Sequence, residues 1–270
     1  MGTLKEKYRY ALVTGASSGL GLAFTQMLLD AGVKVIGLSR SPELKDAGEE
    51  YIPMALYLSD LEHLPAALDR IFQEFPEIDL VINNAGYGVL EYLEGQSVDQ
   101  ICAQYAVMLT APSLIARRAI TAFKIDQRPA CLVNVSSLAV ELPLPLMPIY
   151  NASKAGLSAL SDSLILDASG ADVSYTVLDF RPGDFNTNFA QRMEGRVSWN
   201  GVDLRAVMDR HHAVAPEVGM ATDALKRALL NPKSGRVRVG EFFQAKVAPL
   251  GPRLLPSRWL QGLIRWYYRK

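Results

Sequence analysis

Short apolar runs alternate with longer amphipathic runs along most of this chain, and that alternation limits the fold more than any single motif. Tyr10–Thr14, Lys34–Ser39, Met54–Leu58, Leu80–Asn83, Cys131–Val135, Val173–Asp179 and Arg236–Val239 read as strands. Between them Gly19–Ala31, Leu61–Phe75, Val98–Phe123, Ile149–Ala168 and Glu217–Leu230 repeat their apolar residues at helical spacing. Strands alternating with helices imply parallel βαβ units, and so an α/β, Rossmann-like doubly wound sheet flanked by helices. The 270 residues suffice for one domain with a sizeable core. No repeat or Pro/Gly/Ser-rich linker divides them, so residues 1–241 read as a single domain. Within it, 186–215 is polar and weakly periodic, as a substrate-covering insertion would be. Residues 242–270 form a basic, amphipathic C-terminal extension.

The string TGASSGLG, Thr14 to Gly21, follows the first strand and opens the first long helix. That is the setting a dinucleotide site requires. Gly15 permits a tight turn, Gly19 lets backbone approach a pyrophosphate, and Gly21 lets the helix pack close to the sheet. Free N–H groups of Ser17, Ser18, Gly19 and Leu20 at the helix start would face the phosphates. The second strand ends at Ser39-Arg40, where an NAD enzyme usually carries a carboxylate for the ribose. A guanidinium there suits a 2′-phosphate and points to NADP(H), unless Arg40 is simply a solvated surface residue.

Tyr150 and Lys154 stand four apart in YNASK. A helix turns once in about 3.6 residues, so the two side chains share a face. An ammonium beside a phenol favours phenolate and would draw its pKa toward neutrality. Such a phenol can exchange a proton with an oxygen that is gaining or losing hydride. Charge and cysteine content narrow the alternatives. Lys plus Arg equals Asp plus Glu, so the chain lacks the basic excess of a nucleic-acid binder. Cys102 and Cys131 form neither a disulfide framework nor a metal-ligand spacing, and no metal is expected. The opening MGTLKEKYRY has no apolar signal core, and no stretch reads as long and charge-free enough to span a bilayer. The expectation is a cytoplasmic protein.

Five strings in order then resemble the short-chain dehydrogenase/reductase family in its common single-domain form: TGASSGLG, NNAG (Asn83 to Gly86), VNVSS (Val133 to Ser137), YNASK and RPGDFNT (Arg181 to Thr187). The resemblance covers about Tyr8 to Val239. It implies a seven-stranded parallel sheet, a nicotinamide cofactor and carbonyl/alcohol chemistry. Carried over, Tyr150 would be the acid in reduction and the base in oxidation. Lys154 would lower its pKa and bind the nicotinamide ribose, and Ser137, rather than Ser136, would hold the substrate oxygen. Asn83, Ala85 and Gly86 would lie along the cofactor, with Pro182, Gly183, Phe185 and Thr187 bordering the carboxamide. The family often assembles as a homodimer or homotetramer.

Two positions depart from the family pattern. Met108, in VMLTAP, stands where an Asn usually helps hold a water that feeds protons to the Lys, and a thioether donates nothing. Tyr57 precedes Leu58-Ser59-Asp60 at the usual adenine contact, where it would either pack or stack on the base. Of the histidines, His63 reads as solvated, whereas His211 and His212 fall in the insertion, where they would either meet substrate or solvent.

After Glu241 every charged residue is basic: Lys246, Arg253, Arg258, Arg265, Arg269 and Lys270. On a helix from Ser257, Trp259, Leu260, Leu263, Ile264 and Tyr267 share one stripe. The pattern fits a helix on an anionic membrane, or one that closes the substrate pocket or a dimer contact. The expected function is an NADP(H)-dependent oxidoreductase interconverting a ketone and a secondary alcohol. Leu142, Leu144, Leu146 and Met147 suggest an apolar or acyl-chain substrate. The alternative, which Met108 favours, is a nucleotide-binding scaffold or sensor with little turnover.

Overall fold

The computed structural model describes residues 2–45, 47–170, 173–189, 193–195, 198–199, 201–251 and 256–267. After a short helix α1 (Leu4–Lys7) come β1 (Tyr10–Thr14), α2 (Gly19–Asp30), β2 (Lys34–Ser39), β3 (Tyr51–Ala55), α3 (Leu64–Glu74) and β4 (Ile78–Asn83). Then follow α4 (Val98–Tyr105), α5 (Ala111–Asp126), β5 (Ala130–Val135), α6 (Pro148–Asp167) and β6 (Tyr175–Pro182). A hairpin of β7 (Ser198–Trp199) and β8 (Val202–Asp203), α7 (Leu204–Ala213), α8 (Gly219–Leu230), β9 (Gly235–Val239) and α9 (Ser257–Tyr267) come last, with short 3-10 and π-helical turns between elements. The main sheet has seven parallel strands in the order β3-β2-β1-β4-β5-β6-β9.

Alternation along β1 shows why both faces must be covered. Ala11 and Val13 join Phe24, Leu28, Leu225 and Leu229 in one core, beneath α2 and α8. Leu12, between them, joins Leu68, Ile115 and Phe123 in the other core, beneath α3 and α5. Successive side chains of a strand point to opposite faces, and burying each large aliphatic one contributes about 1.5–3 kcal/mol. Strand order reverses between β1 and β4, so the loops leaving those strands diverge and open a crevice at the carboxyl end of the sheet.

The third strand lies at Tyr51–Ala55 rather than Met54–Leu58. It is an edge strand, which tolerates Pro53. Its first residue sets the register: the Tyr51 ring covers the face of Gly37, and its hydroxyl donates to the Pro42 carbonyl at 2.6 Å. Tyr57 then falls outside the strand and is exposed, so it does not pack. The sixth strand runs to Pro182, because its second half pairs with β9 as well as β5. The insertion is more regular than its composition suggests, since α7 buries Leu204 and Val207.

The helix expected at Val98–Phe123 continues to Asp126 and contains a π-helical turn at Ala106–Thr110. Contrary to the sequence reading, this helix is long and apolar enough to cross a membrane. Its Ile115, Ala116, Ala119 and Phe123 are buried against the sheet, as in the core helix of a doubly wound fold.

Candidate active site

The two loops at the reversal point are stitched together by Thr14. Its Oγ1 accepts from the backbone N–H groups of Asn84 and Ala85 at 2.9 and 3.0 Å, and its carbonyl accepts from Asn84 Nδ2 at 3.0 Å. Gly15 and Gly19 have φ of 67° and 55°, a left-handed backbone that side chains resist. A Cβ on Gly21 would strike the Gly15 carbonyl and the Asn84 amide, so helix and loop meet in backbone contact. Ser18 occupies the N-cap of α2, and Leu20 packs against the core below it. The start of this twelve-residue helix therefore lies bare over the crevice, which fits a pyrophosphate. Thr187 lies across from it, its Cβ 3.7 Å from where a Gly19 side chain would begin. Ser17 Oγ donates to Ser39 Oγ at 3.1 Å, bringing the second strand's end and the exposed Arg40 beside the glycine loop.

Not every residue of the cofactor strings faces the crevice. Asn83 is buried, with its amide donating to Asn134 Oδ1 (2.9 Å) and the Pro112 carbonyl (3.2 Å), so its side chain ties β4 to β5 and α5. Phe185 is a core residue. Gly183 donates its N–H to the Val239 carbonyl at 2.8 Å, next to the end of β6 at Pro182. Asn84 does more at the crevice than Asn83, and its role could have been suspected from the doubled Asn of NNAG. His63 is exposed and pairs with Asp60, and His211 borders a small surface cleft with Asp184 and Gln244. The His212 side chain lies outside the described residues. Among the described residues no cluster of three His, Cys, Asp or Glu could hold a metal.

Ser137, Tyr150 and Lys154 meet where β5 ends. Ser137 stands close enough to the Tyr150 phenol to influence its acidity, and its Oγ accepts from the Ala139 N–H at 3.0 Å. Ser136 is committed elsewhere, donating to the Asp179 carboxylate at 2.5 Å. Lys154 is buried, and its Nζ donates to the Val135 carbonyl at 2.8 Å. That amine lies 3.4 Å, and Met108 Sδ 3.5 Å, from where a Gly86 Cβ would stand. A side chain at Gly86 would thus crowd the lysine. Phe189 packs against Tyr150 at a tilt, with 5.8 Å between ring centroids, and Met108, Met147, Met193, Leu204 and Val207 complete an apolar cover. The insertion is fastened there through Leu90, whose N–H donates to the Glu194 carbonyl at 2.8 Å.

The electrostatics correct one expectation. Tyr150 is not drawn toward neutrality. Burial pushes it up to about 12, with the Ser137 hydrogen bond opposing and Asp184 adding to the rise. Burial also pulls Lys154 down to about 8, against the charge of Asp179. Desolvation exceeds pairwise attraction for both groups because each is enclosed. Tyr150 therefore keeps its proton near neutral pH.

Residues 9–196 match the family model described as short chain dehydrogenase. The chain belongs to that family. Family membership carries a nicotinamide-cofactor fold and oxidoreductase chemistry between alcohol and carbonyl groups. A probable short-chain type dehydrogenase/reductase of Helicobacter pylori, VdlC, is 26% identical over 263 residues, 94% of this chain and 96% of that protein. A 3beta-hydroxysteroid dehydrogenase of Eggerthella lenta is 30% identical over 190 residues, 67% and 72% of the two chains. An uncharacterized oxidoreductase of Schizosaccharomyces pombe is 27% identical over 189 residues, 69% of this chain but only 64% of its own length. Two solved structures share the fold at 22% identity and a TM-score of 0.73. The one from Burkholderia phymatum holds NAD (88% of this chain, 90% of that), and the one from Burkholderia cenocepacia holds NADP (98% and 99%).

Lys154 should leave a signature in stability. Its folded pKa is about 8 and its ordinary value 10.5, so between those values the unfolded chain binds more protons. Stability should therefore rise with pH across that window, by roughly 3 kcal/mol in all, whereas the cost of the buried ammonium is fully present below it. Tyr150 acts with opposite sign only above about pH 10. Urea denaturation between pH 7.5 and 9.5 should show a steeper rise for the native chain than for Lys154→Met. Equal slopes would contradict the buried, depressed amine.

Proposed function

We propose that the chain is an NADP(H)-dependent reductase that converts an apolar ketone to a secondary alcohol, the reverse reaction using the same groups. The observation that carries this reading is the convergence of Ser137, Tyr150 and Lys154 beside Gly86. When bound, the reduced nicotinamide supplies hydride to the carbonyl carbon. Ser137 and Tyr150 donate hydrogen bonds to the carbonyl oxygen, and Tyr150 passes it the phenolic proton as charge develops there. Lys154 lies behind the phenol, its charge offsetting the phenolate that forms, and binds the cofactor's ribose. Ser17, Ser18, Gly19 and Leu20 bind phosphate through backbone N–H groups, Ala85 and Gly86 border the cofactor, and Pro182, Gly183 and Thr187 close over its carboxamide end. Arg40, exposed at the end of β2 next to Ser17 and Ser39, supports a 2′-phosphate partner.

The cover over Tyr150 supports an apolar substrate. Met108, Met147 and Met193 are flexible and polarisable, and would adapt to a steroid-like or acyl-chain ketone. The steroid dehydrogenase of Eggerthella lenta agrees with that substrate class. Residues 186–215 serve as the cover, and residues 242–270 as a separate, membrane-contacting extension. Phe242, Phe243, Val247, Leu250, Trp259 and Trp266 are exposed large apolar residues among the exposed Lys246, Arg258 and Arg265. Aromatic and basic residues with no acidic ones suit an anionic lipid surface. Gln244 ties this segment to the cofactor loop, with its Nε2 donating to Asp184 Oδ2 at 2.9 Å. Arg253, Leu254, Leu255, Tyr268, Arg269 and Lys270 lie outside the described residues, as do the side chains of Leu263 and Tyr267. The protein would act in the cytoplasm at the membrane face, as a homodimer or homotetramer.

The test is NADPH oxidation with a panel of apolar ketones, run against NADH and with Arg40→Asp. The reading predicts turnover with NADPH, and a loss of NADPH affinity in Arg40→Asp at least tenfold greater than the loss of NADH affinity. Equal losses would remove the 2′-phosphate role. Tight NADPH binding with no turnover on any ketone would favour the scaffold reading that Met108 suggests. For the extension, the full chain should float with phosphatidylserine-containing liposomes and a chain ending at Glu241 should not. Equal flotation would exclude the extension as the anchor.

A further inference from the structure

A buried ionic network behind the site is unused by the chemistry described so far. Asp179, on β6, is fully buried and is saturated with donors. Its Oδ1 accepts from Ser136 Oγ (2.5 Å), and its Oδ2 from Ser158 Oγ (2.8 Å) and Arg181 Nε (2.7 Å). Arg181, also buried, donates through Nη1 to Glu141 Oε1 at 2.5 Å and through Nη2 to Ser158 Oγ at 2.7 Å. Arg238 Nε reaches the same Glu141 oxygen at 2.6 Å. Two carboxylates and two guanidiniums thus balance. A buried network of this kind contributes little net stability, because desolvation offsets most of the attraction. Removing one member alone is costly for the same reason. Its retention calls for another explanation.

Its attachment points supply one. Ser137 begins a short turn, Leu138–Val140, and the network holds that turn at both ends, through Ser136 before it and Glu141 after it. Ser158 lies one helical turn beyond Lys154 on α6, so the same carboxylate also grips the helix that carries Tyr150 and Lys154. Both elements that bear the site's side chains, the turn that Ser137 begins and helix α6, are therefore indexed on one residue. We propose that Asp179 is a positioning residue, which with Arg181 and Glu141 sets Ser137 against Tyr150 and supplies the counter-charge that keeps Lys154 an ammonium. Asp179 on β6 is the charge that acts on Lys154, Tyr150 is the titratable group one turn before it on α6, and Arg181, Glu141 and Arg238 stand beyond Asp179 in the network. Gly86 and Met108 face it without charge. The opposition between burial and Asp179 at Lys154 agrees with this role.

The inference rests on the reading of Ser137, Tyr150 and Lys154 as the reacting set, and the test separates the two. The first measurement is the 15Nζ titration of Lys154 by NMR in the full chain, which needs no turnover. Asp179→Asn keeps the shape and removes the charge, so the midpoint should move to lower pH by about one unit. The alkaline fall of kcat should move with it, and kcat should drop at least tenfold with a smaller change in KM. If Asp179→Asn does not fold, the paired variant Asp179→Asn with Arg181→Met, which leaves no unpaired charge, should shift the midpoint in the same direction by less. Ser136→Ala keeps the charge, and should lower kcat while leaving the Lys154 midpoint and NADPH affinity unchanged. An unmoved midpoint in the Asn variants, or an undiminished kcat in Ser136→Ala, would overturn the proposal. If the native chain reduces no ketone while Asp179→Asn still shifts the midpoint, the catalytic reading falls and the counter-charge stands.

Discussion

The hydrogen bond from Lys154 Nζ to the Val135 carbonyl, 2.8 Å long, joins the helix that carries the chemistry to the strand that ends beside it. Burying an ammonium costs several kcal/mol unless donors and counter-charge are supplied. Here the end of β5 supplies the acceptor and β6 supplies Asp179. Once the lysine is committed to that position, α6 has no freedom to rotate or slide. Tyr150, one turn earlier, is then fixed beneath the apolar cover, within reach of Ser137. The doubly wound sheet matters to function mainly because it brings the ends of β1, β4, β5 and β6 to one edge, where this commitment can be made.

The same geometry explains why burial, rather than the Tyr–Lys attraction, governs the acidity of the site. A phenol pushed up to about 12 stays protonated at neutral pH but parts with its proton less readily than a free phenol, while the amine on the same helix face is pulled down to about 8. Met108 deepens this asymmetry. It lies inside the π-turn of the long helix, fully buried against the position of Gly86, where a polar side chain would have brought hydrogen-bonding capacity to the lysine.

Much of this was legible in the sequence because it depends on local periodicity and contiguous strings. The glycine turn and the shared face of Tyr150 and Lys154 both follow from spacing. What was not legible depends on contacts between distant residues. The third strand was read three residues late because Gly37 and Tyr51 set its register across the sheet. Asn83 was read as a cofactor contact, although Asn134, 51 positions away, takes its amide inward. The direction of the Tyr150 shift was missed because enclosure by residues of the insertion cannot be read from the helix alone. The Asp179 network, spread over β6, α6, β9 and the turn after β5, leaves no compact motif to find.

The central claim is that the Tyr150 phenol gives up its proton to the oxygen of a carbonyl reduced beside Gly86. NADPH carrying deuterium at the transferable C4 position tests it most directly, with the alcohol product analysed by mass spectrometry for the native chain and for Tyr150→Phe. The account predicts one deuterium on the carbinol carbon with the native chain. It predicts at least a thousandfold less alcohol with Tyr150→Phe at unchanged NADPH affinity, since general-acid catalysis and orientation are lost together. Product that forms at a comparable rate without the phenol, or that carries no label on that carbon, would contradict it.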